Sequence, residues 1–110
     1  MLKAKTIILS ATIVAAAAVK GGQLVGFDNK PAVENGNVLG VAAFDAEPGD
    51  ALTVDLIGVT DMIAASAVSA GDALSSNAES QPVKAGEGAV TFARALTSAN
   101  PGERVVVLFR

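Results

Sequence analysis

Three carboxylates fall within six residues in Asp45-Ala46-Glu47-Pro48-Gly49-Asp50. Carboxylates this close could ligate calcium or share acid–base work. The spacing lacks the Asp-x-Asp-x-Asp-Gly pattern and distal Glu of an EF-hand loop. Asp, Pro and Gly are also the residues a tight turn requires, so a turn is expected here. Asp28-Asn29-Lys30-Pro31 carries the same chemistry and reads as a hairpin tip. Serines stand at 10, 66, 69, 75, 76, 80 and 98, but the chain has no histidine. A Ser-His-Asp arrangement is therefore excluded, and no spacing points to a Ser-Lys pair. Gly21-Gly22 and Gly36 to Gly40 are not followed by the Lys-Ser/Thr of a phosphate cradle. Without cysteine there is neither a disulfide nor a thiolate metal site. The expectation is a non-enzymatic protein with no catalytic residue, no cofactor, no metal and no small-molecule substrate.

The composition narrows the partners. Eleven acidic residues against eight basic ones give a net charge of −3. A nucleic-acid footprint needs a clustered basic face, and stacking platforms usually need Tyr or Trp, both absent here. No apolar run approaches the roughly 18 residues of a membrane span, so neither nucleic acid nor membrane is an expected partner. Hydrophobic residues make up 51% of the chain, yet the only aromatics are Phe27, Phe44, Phe92 and Phe109. A core of small side chains suits a thin β-barrel or sandwich, and association with another protein would supplement it.

Such residues must be positioned by strands, and an internal repeat suggests how. Thr6 to Gly22 aligns with Asp55 to Gly71 at a constant offset of 49, matching Ile8/Ile57, Ala15/Ala64, Ala16/Ala65, Ala18/Ala67, Val19/Val68 and Gly22/Gly71. Further on, Pro48-Gly49-Asp50 aligns with Pro101-Gly102-Glu103. We read one domain over 1–110, with an arm at 1–5 and two units at 6–54 and 55–110. Each unit has a β-branched start, an Ala-rich bend, a Gly turn and a short strand. A polar turn follows (DNKPAVENGN; NAESQPVKAGEG), then a longer strand, a Pro-Gly turn and a final strand. Short strands split by Gly, Pro, Asn and Asp turns indicate an all-β barrel. The Ala-rich segments Ile13–Ala18 and Ile63–Ala67 allow at most one or two short helical turns. Gly40, Ala42 and Ala43 leave little bulk on one strand surface, which fits either a subunit interface or barrel curvature.

Two lysines followed by TIILSATIVAAAAVKGG resemble a secretory signal locally, and would make the chain a secreted β-domain. The same pattern recurs in mid-chain as DLIGVTDMIAASAVSAG, where no signal could act. Thr6–Gly22 is accordingly expected to be the first strand, bend and Gly turn of unit one.

The run Val38-Leu39-Gly40-Val41-Ala42-Ala43-Phe44-Asp45-Ala46 with Pro48-Gly49-Asp50-Ala51-Leu52-Thr53-Val54 resembles the capsid cement, or head decoration, proteins of tailed bacteriophages. The likeness continues through Ile57-Gly58-Val59, Val68-Ser69-Ala70-Gly71-Asp72-Ala73-Leu74, Ala93-Arg94-Ala95-Leu96 and Val105-Val106-Val107-Leu108. It departs at Phe92-Ala93-Arg94, where the family pattern has small residues. The resemblance implies a small β-clip or β-tulip barrel lying on the exterior of the virion and made in the host cytoplasm. Its implied partners are the major capsid protein and further copies of itself, a trimer being favoured over a dimer. It also implies that Met1, Leu2, Lys3, Ala4, Lys5 and Thr6 form an arm that docks on the capsid. Ala67 to Ser75 is also similar to the Gly-Asp-x-Leu turn of SAF-type β-clip modules, found beside enzymes or in pilus and flagellar assembly.

Overall fold

The computed structural model describes residues 5–109, which form strands joined by turns, bends and irregular segments, with no helix among the described residues. The strands are β1 (Thr6–Val14), β2 (Leu24–Gly26), β3 (Val38–Ala42), β4 (Ala51–Ile63), β5 (Ala73–Ser76), β6 (Pro82–Lys84), β7 (Ala93–Ala95) and β8 (Arg104–Phe109). Every pairing is antiparallel, in the order β2-β3-β4-β8-β7-β5-β6, with β1 attached to β4.

The long strand β4 organises the rest. Leu52, Val54, Thr60 and Met62 alternate inward along it, the period-2 pattern of a half-buried strand. Gly58 and Val59 pair with β1 on one side and with β8 on the other. Asp55 lies between Ser10 of β1 and Val41 of β3. So β3 and β8 share one edge of β4, and β1 takes the opposite edge. The two ends of the strand path then meet. The Leu24 N–H donates to the Ser80 carbonyl at 3.0 Å, and the Asn35 N–H to the Ser76 carbonyl at 2.9 Å. The buried Ser80 hydroxyl donates to the Ala32 carbonyl at 2.6 Å. The sheet is thereby a nearly closed small barrel.

Two apolar clusters fill it, and both are thin. Val19, Val25, Ala42, Leu52 and Val54 are central to one; Leu24, Met62, Leu74, Val105, Val107 and Phe109 are central to the other. Ile13 of β1 packs on the first and Ile7 on the second, so β1 spans both, as β4 does.

The Ala-rich segments are bends, and their hydrogen bonds explain why neither winds into a helix. The Ala15 N–H donates to Asp50 O and the Ala16 N–H to Asn29 O, both at 2.9 Å. A helical turn needs its bonds locally, and here the donors are taken by residues distant in sequence. The same bonds surround the second bend: Ala64 N–H to Glu103 O and Ala65 N–H to Pro82 O, again at 2.9 Å. Gly49 N–H to Ala15 O has its counterpart in Gly102 N–H to Ala64 O, both 2.8 Å. Val19 bridges Ala46 as Val68 bridges Ala99.

Three details differ from the strand plan read in the sequence. β4 runs without a break from Ala51 to Ile63, so the boundary drawn between 54 and 55 falls inside one strand. β1 continues through Val14, two residues into the Ala-rich segment Ile13–Ala18. The polar stretch Asn77–Gly88 is not one turn, because Pro82–Lys84 forms β6 against β5. The Asn77 Oδ1 accepts from the Glu79 and Gln81 N–H groups and tightens the hairpin. β6 ends the strand order, where a proline is tolerated in a sheet.

Candidate functional site

The carboxylates that could have done chemistry are spent on turns. Asp50 Oδ2 accepts from the Glu47 N–H at 3.0 Å, and Asp45 Oδ1 from the Gly21 N–H at 2.7 Å. Asp28 Oδ1 accepts from the Lys30 N–H at 3.2 Å beside Asn29, whose φ is 64°. Asp72 Oδ2 accepts from the Ser69 N–H at 2.8 Å and Glu103 Oε1 from the Asn100 N–H at 2.8 Å. Except for Asp45, which ties its loop to Gly21 across 24 residues, each replaces a backbone partner that its own turn leaves missing, the usual reason for an acidic residue at such positions. No cluster of three acidic residues among the described residues is spaced to hold a metal ion.

Two shallow clefts lie on the surface. One is lined by Ser69, Asp72, Lys84, Ser98 and Glu103, with Lys84 Nζ 3.9 Å from Asp72 Oδ2. The Gly71-Asp72 turn that resembles SAF modules lies here, and its aspartate caps its own turn. The other contains Asp61 and Arg104, joined by a charge-assisted bond of 2.8 Å between β4 and β8. In the first, Ser98 Oγ accepts from the Ala70 N–H at 3.2 Å, so its hydroxyl oxygen also serves the turn.

Of the expected arm, Met1, Leu2, Lys3 and Ala4 lie outside the described residues. Lys5 is exposed, its Nζ 3.8 Å from Oδ2 of the buried Asp55. Thr6 is the first residue of β1, opposite Val59. Gly40 and Ala42 are buried within the chain. A Cβ at Gly40 would lie 2.2 Å from the Asp55 carbonyl oxygen, so the small residue serves the approach of β3 to β4. Of the two readings of Gly40, curvature is the one its surroundings support.

The surface also carries large apolar side chains. Along β1, Ile8 is 71% exposed, Val14 60% and Leu9 49%, and Ile57 opposite Leu9 is also exposed. A second apolar area holds Phe27, 69% exposed, beside a cavity of about 230 Å³ lined by Leu39, Leu56 and Phe92 among others. Phe44 and Leu96 protrude after β3 and β7. Contiguous exposed apolar surface is the kind that marks protein–protein contact.

The family model described as phage cement protein matches residues 3–110. The chain belongs to that family. It is a structural, virion-associated protein of the phage capsid, as the resemblance read from Val38–Val54 implied. Among solved structures it is similar to the head fiber gp8.5 N base of bacteriophage phi29, with a TM-score of 0.73 and 24% identity over 93% of each chain. That likeness concerns the fold. No curated protein matches the chain by sequence.

Sequence reasoning did not single out the β1 surface of this cement protein. Its signal was present: nine residues, TIILSATIV, without a charge or a proline. Whether such a strand is central or at an edge depends on its neighbours, which one strand's own sequence does not record.

Proposed function

We propose that this cement protein binds the outer surface of the capsid, contacts the major capsid protein and braces the expanded shell. The observation that carries this reading is the family match over residues 3–110. The spent carboxylates and exposed apolar strands support it. Binding of this kind works through many weak contacts multiplied by the symmetry of the shell. Residues 1–5, with Lys3 and Lys5, act as a docking arm toward an acidic capsid surface, and Thr6 anchors that arm to β1. The recurring bonds around Ala15 and Ala64 support two structural units, 6–54 and 55–110, joined through β4. The protein acts as a homo-oligomer, a trimer by resemblance or otherwise a dimer, which light scattering coupled to size exclusion separates.

Co-sedimentation with capsids tests the reading. The protein is expected to pellet with expanded capsids of its own phage; failure to do so overturns it. Deleting residues 1–5 is expected to weaken that binding with the fold intact, and unchanged binding retires the arm.

A further inference from the structure

Strand β1 is the one strand that lies off the barrel path, and it pairs only with β4. Its other edge has no backbone partner among the described residues. Natural sheets blunt such edges with charges, prolines or short strands. β1 has nine residues with neither a charge nor a proline; its one irregularity is a shift of register against β4 around Leu9, and from Ser10 to Val14 its pairing is regular. Its even positions, Thr6, Ile8, Ser10, Thr12 and Val14, are all exposed, while Ile7, Ala11 and Ile13 turn partly inward and Leu9 stays half exposed. An edge so shaped is built to be covered.

The strand's own pattern indicates the cover. Read from either end it keeps the same order of residue classes: β-branched Thr6 and Val14, isoleucine at 7 and 13, β-branched Ile8 and Thr12, apolar Leu9 and Ala11, with Ser10 at the centre. We infer that β1 pairs antiparallel with β1 of a second copy across a twofold axis through Ser10, continuing the sheet from one molecule into the next. In that register every even residue meets an even one and every odd residue an odd one, so both inward faces stay inward. Ile7 lies opposite the second copy's Ile13, and half-exposed Leu9 opposite its Ala11. With no charge in the strand, self-pairing sets no like charges against each other. The contact is isologous and closes after two copies. It is independent of the capsid, and a threefold contact elsewhere on the molecule is compatible with it.

Ser10 provides the test, because the chain contains no cysteine. Residues directly opposite in an antiparallel pair have Cα atoms about 4.5–5.5 Å apart, within the range a disulfide spans. Mild oxidation of purified Ser10→Cys is expected to give a covalent species of twice the chain mass. Val33→Cys, exposed in the loop between β2 and β3, serves as the control and is expected to give far less. Equal cross-linking of the two at the same concentration overturns the inference. Independently, light scattering is expected to give Ile8→Lys half the mass of the wild type, from dimer to monomer or from hexamer to trimer. Its circular dichroism should be unchanged. A correctly folded Ile8→Lys with the wild-type mass also overturns it.

Discussion

Gly40 and Ser80 show how single residues hold this barrel together. A methyl group at Gly40 would sit 2.2 Å from the Asp55 carbonyl and 2.8 Å from Val54 Cγ1, so β3 and β4 would have to separate. Gly40→Ala is expected to cost roughly 1–3 kcal/mol, the range of an overpacked core, and chemical denaturation measures it. Ser80 lies buried at φ 61°, and its hydroxyl closes the barrel through Ala32. Removing it leaves a buried carbonyl short of a donor, so Ser80→Ala is expected to cost about 1–2 kcal/mol in the same assay. Gly40 was visible in the sequence as a missing side chain within a strand, though its cause was open between two readings. Ser80 was not visible, because a serine in a polar turn gives no sign of a partner 48 residues away. The acidic turns were readable for the opposite reason: Asp50 and Asp72 each reach a backbone N–H three residues off, which local sequence encodes.

At the scale of elements, β1 and β4 decide the architecture. Gly58 lies where β1 crosses most closely: with φ at +154°, a Cβ there would fall 2.4 Å from the Thr6 carbonyl oxygen. Gly58→Ala is expected to loosen the first residues of β1, with faster amide exchange at Thr6 and Ile7 and about 1–3 kcal/mol less stability. No such change at those amides would mean that β1 does not depend on the crossing. The alternation in β4 and the unbroken Val105-Val106-Val107 of β8 made these strands legible. β6 was not, since Pro82-Val83-Lys84 has neither length nor period and exists only because Asn77 folds it back on β5. The same limit hid the free edge of β1, which is a property of topology rather than of its nine residues.

On the scale of the whole molecule, a barrel of 105 described residues holds two thin clusters instead of one thick core. Both clusters are crossed by β1 and β4, so thermal unfolding is expected to show a single transition by calorimetry, not one for each cluster. A small core leaves modest intrinsic stability, and partners that bind only the folded state add to it. The turns, the all-β class and the family were legible because they depend on short patterns repeated in a fixed order. The surfaces that meet partners were less so, because exposure arises only when the strands are assembled. The central claim, that this family member braces the capsid from outside, is tested most directly by mixing the purified protein with expanded and unexpanded capsids of its own phage. The account predicts that the protein sediments with the expanded shells and raises the temperature at which they rupture. Expanded shells that neither retain the protein nor gain stability would contradict it.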